Sequence, residues 1–135
     1  NEKEALAQLR IFSMRESLEA VGRFDPARAR NRFIDSFDRG ATRKVEIDGC
    51  LIGFCVLKDK GDHLYLDHLY IHPDFQGHGL GSSILRSIMV QARERKLPLR
   101  LGALRGSRSN KFYLSHGFVQ TGESEWDIYY EYRDC

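Results

Sequence analysis

The chain has 135 residues, of which 41% are hydrophobic and 30% charged, and its formal net charge is +2. That length suits one domain with its own core, and so small a charge argues against a nucleic-acid partner. No apolar run approaches the ~20 residues that span a bilayer and no signal-peptide pattern opens the chain, so no membrane partner and a cytoplasmic address are expected.

Residues 2–21 are expected to form a helix, because Ala5, Leu6, Leu9, Phe12 and Leu18 recur at helical spacing and Gly22 ends the pattern. Asp25-Pro26 reads as an N-cap followed by proline at the first helical position, opening a second helix that runs to about Gly40. Residues 42–47 alternate as a strand, Asp48-Gly49 supplies a hairpin turn, and LIGFCVLK is the returning strand. A turn near Gly61-Asp62 leads into a strand over 64–72. After a glycine loop comes a long helix to about Arg95, stopped before Pro98. Residues 99–103 read as a short buried strand, SNKFYLSH as a short helix closed by Gly117 at C′, and 119–133 as two strands around Gly122. The order ααβββαβαββ predicts an α+β (mixed α/β) fold around one sheet, with nothing to divide residues 1–135 into more than one domain.

The loop QGHGLGSS raises the chemical question. Glycine disfavours helix by about 1 kcal/mol relative to alanine, so Gly77, Gly79 and Gly81 at the start of a helix suggest that a ligand approaches the main chain. In a strand–loop–helix unit the free N–H groups and the helix dipole make an anion site, and a pyrophosphate is the natural guest. A dinucleotide fingerprint fails on spacing, since the third glycine of GxGxxG would fall on Ser82; a P-loop fails because no Gly-Lys pair occurs.

Gln76-Gly77-His78-Gly79-Leu80-Gly81 resembles the Q/R-x-x-G-x-G/A signature of the GNAT superfamily of N-acetyltransferases. LDHLYIHP before it is similar to that family's fourth strand, and SRSNKFYLSHGF after it to the family's closing segment, a short helix with a Tyr ending in Gly-Phe. The three parts come in the family's order, and the likeness spans residues 42–132. It implies a GNAT acyl-CoA N-acyltransferase fold: a central, mostly antiparallel sheet with a splayed strand pair, flanked by helices. The family's usual opening strand has no counterpart here. Either it belongs to residues ahead of Asn1, or the sheet is one strand short.

The resemblance implies acetyl-CoA as cosubstrate and a primary amine as acceptor, attacking directly within a ternary complex. It assigns the pyrophosphate to the main chain of Gln76, Gly77, His78, Gly79, Leu80, Gly81 and Ser82, and the pantetheine arm to the backbone of Leu69, Tyr70 and Ile71. The Leu69 N–H is the candidate for holding the acetyl oxygen. Tyr113 is the candidate general acid for the departing thiolate, the alternative being a core aromatic beside Phe112; neighbours in a helix point about 100° apart, so one can pack inward while the other faces a cleft. Asn110 on the same helix face as Tyr113 is a candidate contact for the arm. Strand parity puts Tyr65, Asp67, Leu69 and Ile71 on one face. Asp67 is the candidate base and His68 the second candidate.

Other features carry less. His63, His68, His72 and His78 fall within sixteen residues, but on a strand His68 and His72 stand roughly 13 Å apart, so no metal site is expected. Cys50, Cys55 and Cys135 lack metal or redox spacing and read as incidental thiols. Trp126, Tyr129, Tyr130 and Tyr132 read as packing rather than as a base-stacking platform. The first two helices carry Arg10, Arg15, Glu16, Glu19, Arg23, Arg28, Arg30 and Arg32, a mixed set that names no substrate. A small-molecule amine and a peptide or protein lysine both remain open as acceptor, and monomer and homodimer as assembly. The alternative from another class is a non-catalytic acyl-CoA-binding sensor or regulatory module, and a third is a purely structural domain with no ligand.

Overall fold

A computed structural model describes residues 2–20 and 25–133; Gly22, Arg23, Cys135 and the side chain of Leu18 lie outside the described residues. The elements follow the expected order: α1 (Glu2–Ala20), α2 (Pro26–Ser36), β1 (Thr42–Ile47), β2 (Cys50–Asp59), β3 (Leu64–Ile71), α3 (Leu80–Arg95), β4 (Leu99–Leu104), α4 (Ser109–Ser115), β5 (Val119–Glu123) and β6 (Asp127–Tyr132). The six strands form a mixed sheet in the order β1-β2-β3-β4-β6-β5. β3 and β4 run parallel, whereas β1–β2, β4–β6 and β5–β6 run antiparallel. The chain divides into two compact units, Asn1–Val56 with His68–Gly81, and Leu57–Asp67 with Ser82–Cys135.

In the first unit the core joins Leu6, Ala7 and Leu9 of α1 to Phe33 of α2 and to Phe54 and Val56 of β2. Phe33 meets the edge of Phe54 at a centroid distance of 5.5 Å, a geometry favoured by the ring quadrupoles. α2 starts as expected, with the Asp25 carboxylate accepting the Arg28 N–H at 3.1 Å and Pro26 in the first turn. It ends at Ser36, four residues before the expected Gly40. The reason is a competing cap: Asp38 accepts the Gly40 N–H at 3.0 Å and opens a separate 3-10 turn at Arg39–Ala41. In the β1–β2 hairpin, Asp48 and Gly49 both take positive φ, +50° and +81°, as a two-residue turn of matching twist requires.

The second unit is built on β4, which pairs with β6 along its whole length and, through residues 99–101, with residues 64–66 of β3. Leu64, Leu66, Leu99 and Leu101 are buried on these strands, and Leu85, Ile88 and Ala92 form the buried stripe of α3 at spacings of three and four. The last two strands do not turn around Gly122. Gly122 lies inside β5, where the register shifts, and the turn falls at 124–126. Ser124 closes that turn: its N–H donates to the Asp127 carbonyl at 2.8 Å and its hydroxyl accepts the Asp127 N–H at 3.2 Å.

Candidate functional site

The loop after β3 is fastened at its base. The Gln76 side-chain amide donates to the Ile71 carbonyl at 2.8 Å, so this glutamine anchors the loop to the end of the strand. Gly77 and Gly79 stand at φ of +83° and +82°, and nothing lies within 4 Å of the position a Cβ would take at either residue. Both needs of a cradle are met there: a left-handed backbone and clear approach. The three glycines are not equivalent, however. α3 begins at Leu80, so Gly81 is already helical, and the N–H groups of Leu80, Gly81 and Ser82 occupy the first turn, where no intrahelical acceptor is available. His78 is exposed at the crest. Loop and first turn together suit a pyrophosphate.

β3 presents Leu69, Tyr70 and Ile71 immediately before this loop. Its C-terminal end is held close to β2. A Cβ on Gly53 would stand 2.7 Å from the Tyr70 carbonyl oxygen and 2.8 Å from Ile71 Cδ1, and the His72 N–H donates to the Ile52 carbonyl at 2.7 Å. Gly53 is a residue that sequence reasoning missed; its only signal was a glycine inside a strand, the mark of close backbone approach. His68, the second candidate base, packs among Phe33, Phe54 and Tyr70, with Nδ1 3.2 Å from the Tyr70 hydroxyl. The Arg10 guanidinium lies over the Tyr70 ring at 5.9 Å, a cation–π contact.

In the second unit, Asp67 forms an ion pair with Lys58 at 3.1 Å, both side chains being about one-quarter to one-third exposed (25% and 30%). Tyr65, two residues earlier on the same strand face, has its phenol pushed up first by burial and then by the charge of Asp67. It therefore stays neutral at ordinary pH and keeps a proton to donate. Its parity with Asp67 was visible in the sequence, but its proximity to Gly102 on β4, 3.6 Å from Tyr65 Oη to the position of a Cβ, was not.

α4 buries one of its two adjacent rings and leaves the other half-buried. Tyr113 is the buried one, 7% exposed, against Phe118 at 5.6 Å and Tyr130 at 6.3 Å, while Phe112 is half-buried beside His116 at 4.7 Å. Asn110 is committed within the chain. Its amide nitrogen donates to the carbonyls of Leu104 at 2.9 Å and Ser107 at 3.0 Å, and its oxygen accepts the Tyr130 hydroxyl at 2.8 Å. Both amide hydrogens are used, so what it keeps for a ligand is spare acceptor capacity at Oδ1. Ser82, in the first turn of α3, lies 2.9 Å from His116 Nε2, a contact that no sequence signal marked.

Among the described residues, no group of three or more His, Cys, Asp or Glu side chains could hold a metal ion, and no helix is long and apolar enough to cross a membrane.

A family model described as "Acetyltransferase (GNAT) domain" matches residues 41–120, from the start of β1 through the loop and α4 into β5. Solved structures share the fold. The PaiA N-acetyltransferase of Thermoplasma acidophilum, in complex with coenzyme A, superposes with a TM-score of 0.74 at 19% identity, covering 98% of this chain and 93% of that one. A GNAT family acetyltransferase from Elizabethkingia anophelis with acetyl-CoA bound gives 0.60 at 16% identity, covering 68% and 74%. The ribosomal-protein-S18-alanine N-acetyltransferase of Escherichia coli gives 0.63 at 18% identity, covering 77% and 76%. No curated protein matches the sequence significantly.

Proposed function

The chain belongs to the GNAT family of acetyltransferases, and from that membership we propose that it is an acetyl-CoA-dependent N-acetyltransferase acting on a primary amine through a ternary complex. The observation that carries this reading is the loop: two left-handed glycines with clear space above them, feeding directly into the first turn of α3, whose N–H groups have no intrahelical acceptor. Relatives of the same fold contain coenzyme A and acetyl-CoA, and one is named for acetylating an alanine of a ribosomal protein. A small amine and a protein amine are both acceptors of this class.

When bound, acetyl-CoA supplies the acetyl group as an activated thioester. The main-chain N–H groups of Gly77, His78, Gly79, Leu80, Gly81 and Ser82 hold the pyrophosphate, with Gln76 fixing the loop to Ile71. The backbone of Leu69, Tyr70 and Ile71 orients the pantetheine arm as an added strand, and the Leu69 N–H stabilises the developing oxyanion. Asp67, held by Lys58, takes the amine proton directly or through water. Tyr113 gives its phenolic proton to the departing thiolate.

An amine screen that follows release of the coenzyme A thiol tests the proposal. At least one primary amine should be acetylated, with double-reciprocal lines that intersect. Parallel lines would replace direct attack by an acetyl-enzyme. A second reading, a non-catalytic acyl-CoA sensor, draws on the burial of Tyr113 between Phe118 and Tyr130, which suits a core residue as well as an acid.

A further inference from the structure

Ser82 and His116 form a hydrogen-bonded pair whose proton arrangement can be deduced from its surroundings. His116 Nδ1 lies 2.7 Å from the Phe112 carbonyl oxygen and 3.2 Å from Ser115 Oγ, while Nε2 lies 2.9 Å from Ser82 Oγ. A carbonyl oxygen only accepts, so in the neutral ring the proton sits on Nδ1 and Nε2 offers its lone pair. The Ser82 hydroxyl hydrogen is then spent on Nε2. Its oxygen turns only lone pairs toward anything else, which is the wrong face for a phosphate oxygen.

A proton added to Nε2 reverses this. The ring now donates to Ser82 Oγ, the hydroxyl hydrogen is free to swing outward, and a positive charge stands one hydrogen bond behind it. We propose that His116 is a positioning residue for the pyrophosphate site: protonated at Nε2, it converts the Ser82 hydroxyl from a donor to imidazole into a donor to a phosphate oxygen, so that ligand binding takes up a proton from solvent. This rests on the reading that the loop and the first turn of α3 hold a pyrophosphate. By linkage, binding that takes up a proton strengthens as pH falls through the imidazole range and weakens as pH rises through it.

The other ionisable side chains on the two helices are Arg86, Arg93, Glu94 and Arg95 on α3 and Lys111 and Tyr113 on α4, with Arg108 at the N-cap of α4; arginine, lysine, glutamate and tyrosine are residue types whose charge ordinarily changes outside pH 5.5 to about 8.5. His78 stands four residues before Ser82 in the loop, so the contribution of His116 is isolated by replacing His116 alone.

The probe is dephospho-coenzyme A, which lacks the titrating 3′-phosphate and keeps its pyrophosphate charge constant. Calorimetric titrations from about pH 5.5 to about 8.5, each in two buffers of different ionisation enthalpy, report affinity and proton uptake together. The unaltered chain should bind about five- to tenfold more tightly at the acid end and take up a fraction of a proton. His116→Gln should bind with an affinity independent of pH and take up none. A flat profile in the unaltered chain, or a slope that survives in His116→Gln, overturns the inference and leaves the loop reading standing. Absence of binding at every pH overturns the loop reading, and this inference with it. The proton count on the unaltered chain needs no variant to fold.

Discussion

The Phe118 N–H donates to the Tyr113 carbonyl at 3.2 Å while the two rings meet at a centroid distance of 5.6 Å. With the Gly117 N–H donating to Leu114 at 3.1 Å and Gly117 at φ +89°, this is a Schellman stop with its hydrophobic clasp. The Tyr-x-x-x-Gly-Phe spacing is therefore a helix terminator as well as a carrier of the candidate acid. The same turn that places Tyr113 also fixes how far α4 extends.

Replacing Gly117 tests that stop in isolation, because nothing lies within 4 Å of the Cβ position and only the left-handed φ opposes a side chain. Gly117→Ala should lower unfolding stability by about 1–2 kcal/mol in a denaturant titration. Phe118→Ala, which empties a buried ring site, should cost more, about 3–5 kcal/mol. Equal losses would mean that the clasp adds little to the turn.

Gly53 poses a different problem, since a side chain there meets backbone. Gly53→Ala places a Cβ 2.7 Å from the Tyr70 carbonyl, so β3 must shift where it carries Leu69 to Ile71. The expected loss of stability is about 1–3 kcal/mol, together with a raised KM for acetyl-CoA. A destabilised variant with unchanged KM would separate this strand end from the cofactor arm.

Tyr113→Phe removes one oxygen and leaves the ring packing in place. As general acid, Tyr113 accounts for about a hundredfold or more of turnover, with acetyl-CoA affinity kept within about threefold. Unchanged turnover would return Tyr113 to the core that its burial already gives it. A variant that binds acetyl-CoA as the parent does, in a chain that acetylates no amine, would favour the sensor reading.

The cysteines should differ in reactivity. Cys50 is exposed, while Cys55 is 2% exposed and burial pushes its thiol up, with Arg43 opposing in part. A raised thiol holds its proton, so less of the reactive thiolate is present at any given pH. Alkylation near pH 8 followed by peptide mapping should modify Cys50 at least about tenfold faster than Cys55, and denaturant should abolish the difference.

Most of the fold was legible because its signals are local. Asp48-Gly49, the Asp25-Pro26 cap and the apolar stripe of Leu85, Ile88 and Ala92 each specify their element with residues a few positions apart. The end of α2 was misplaced because two caps compete, and Asp38 wins over continuation of the helix. Gly122 suggested a turn but absorbs a bulge. In the site, the loop was legible from its glycines, whereas the roles of single side chains were not. Asn110 is engaged by Tyr130, twenty residues on, and Ser82 by His116, thirty-four residues on; no periodicity encodes such meetings. Which of Phe112 and Tyr113 packs inward was not legible, because adjacency in a helix fixes only their angular separation, not which one faces the core.

The most direct test of the account is a calorimetric titration of the chain with acetyl-CoA, coenzyme A and NADH. The loop geometry predicts saturable binding of acetyl-CoA and coenzyme A at one site per chain, weakened by about tenfold in Gly79→Ala, where a side chain opposes the left-handed backbone, and no binding of NADH. Binding of NADH in place of coenzyme A, or of neither, would contradict it.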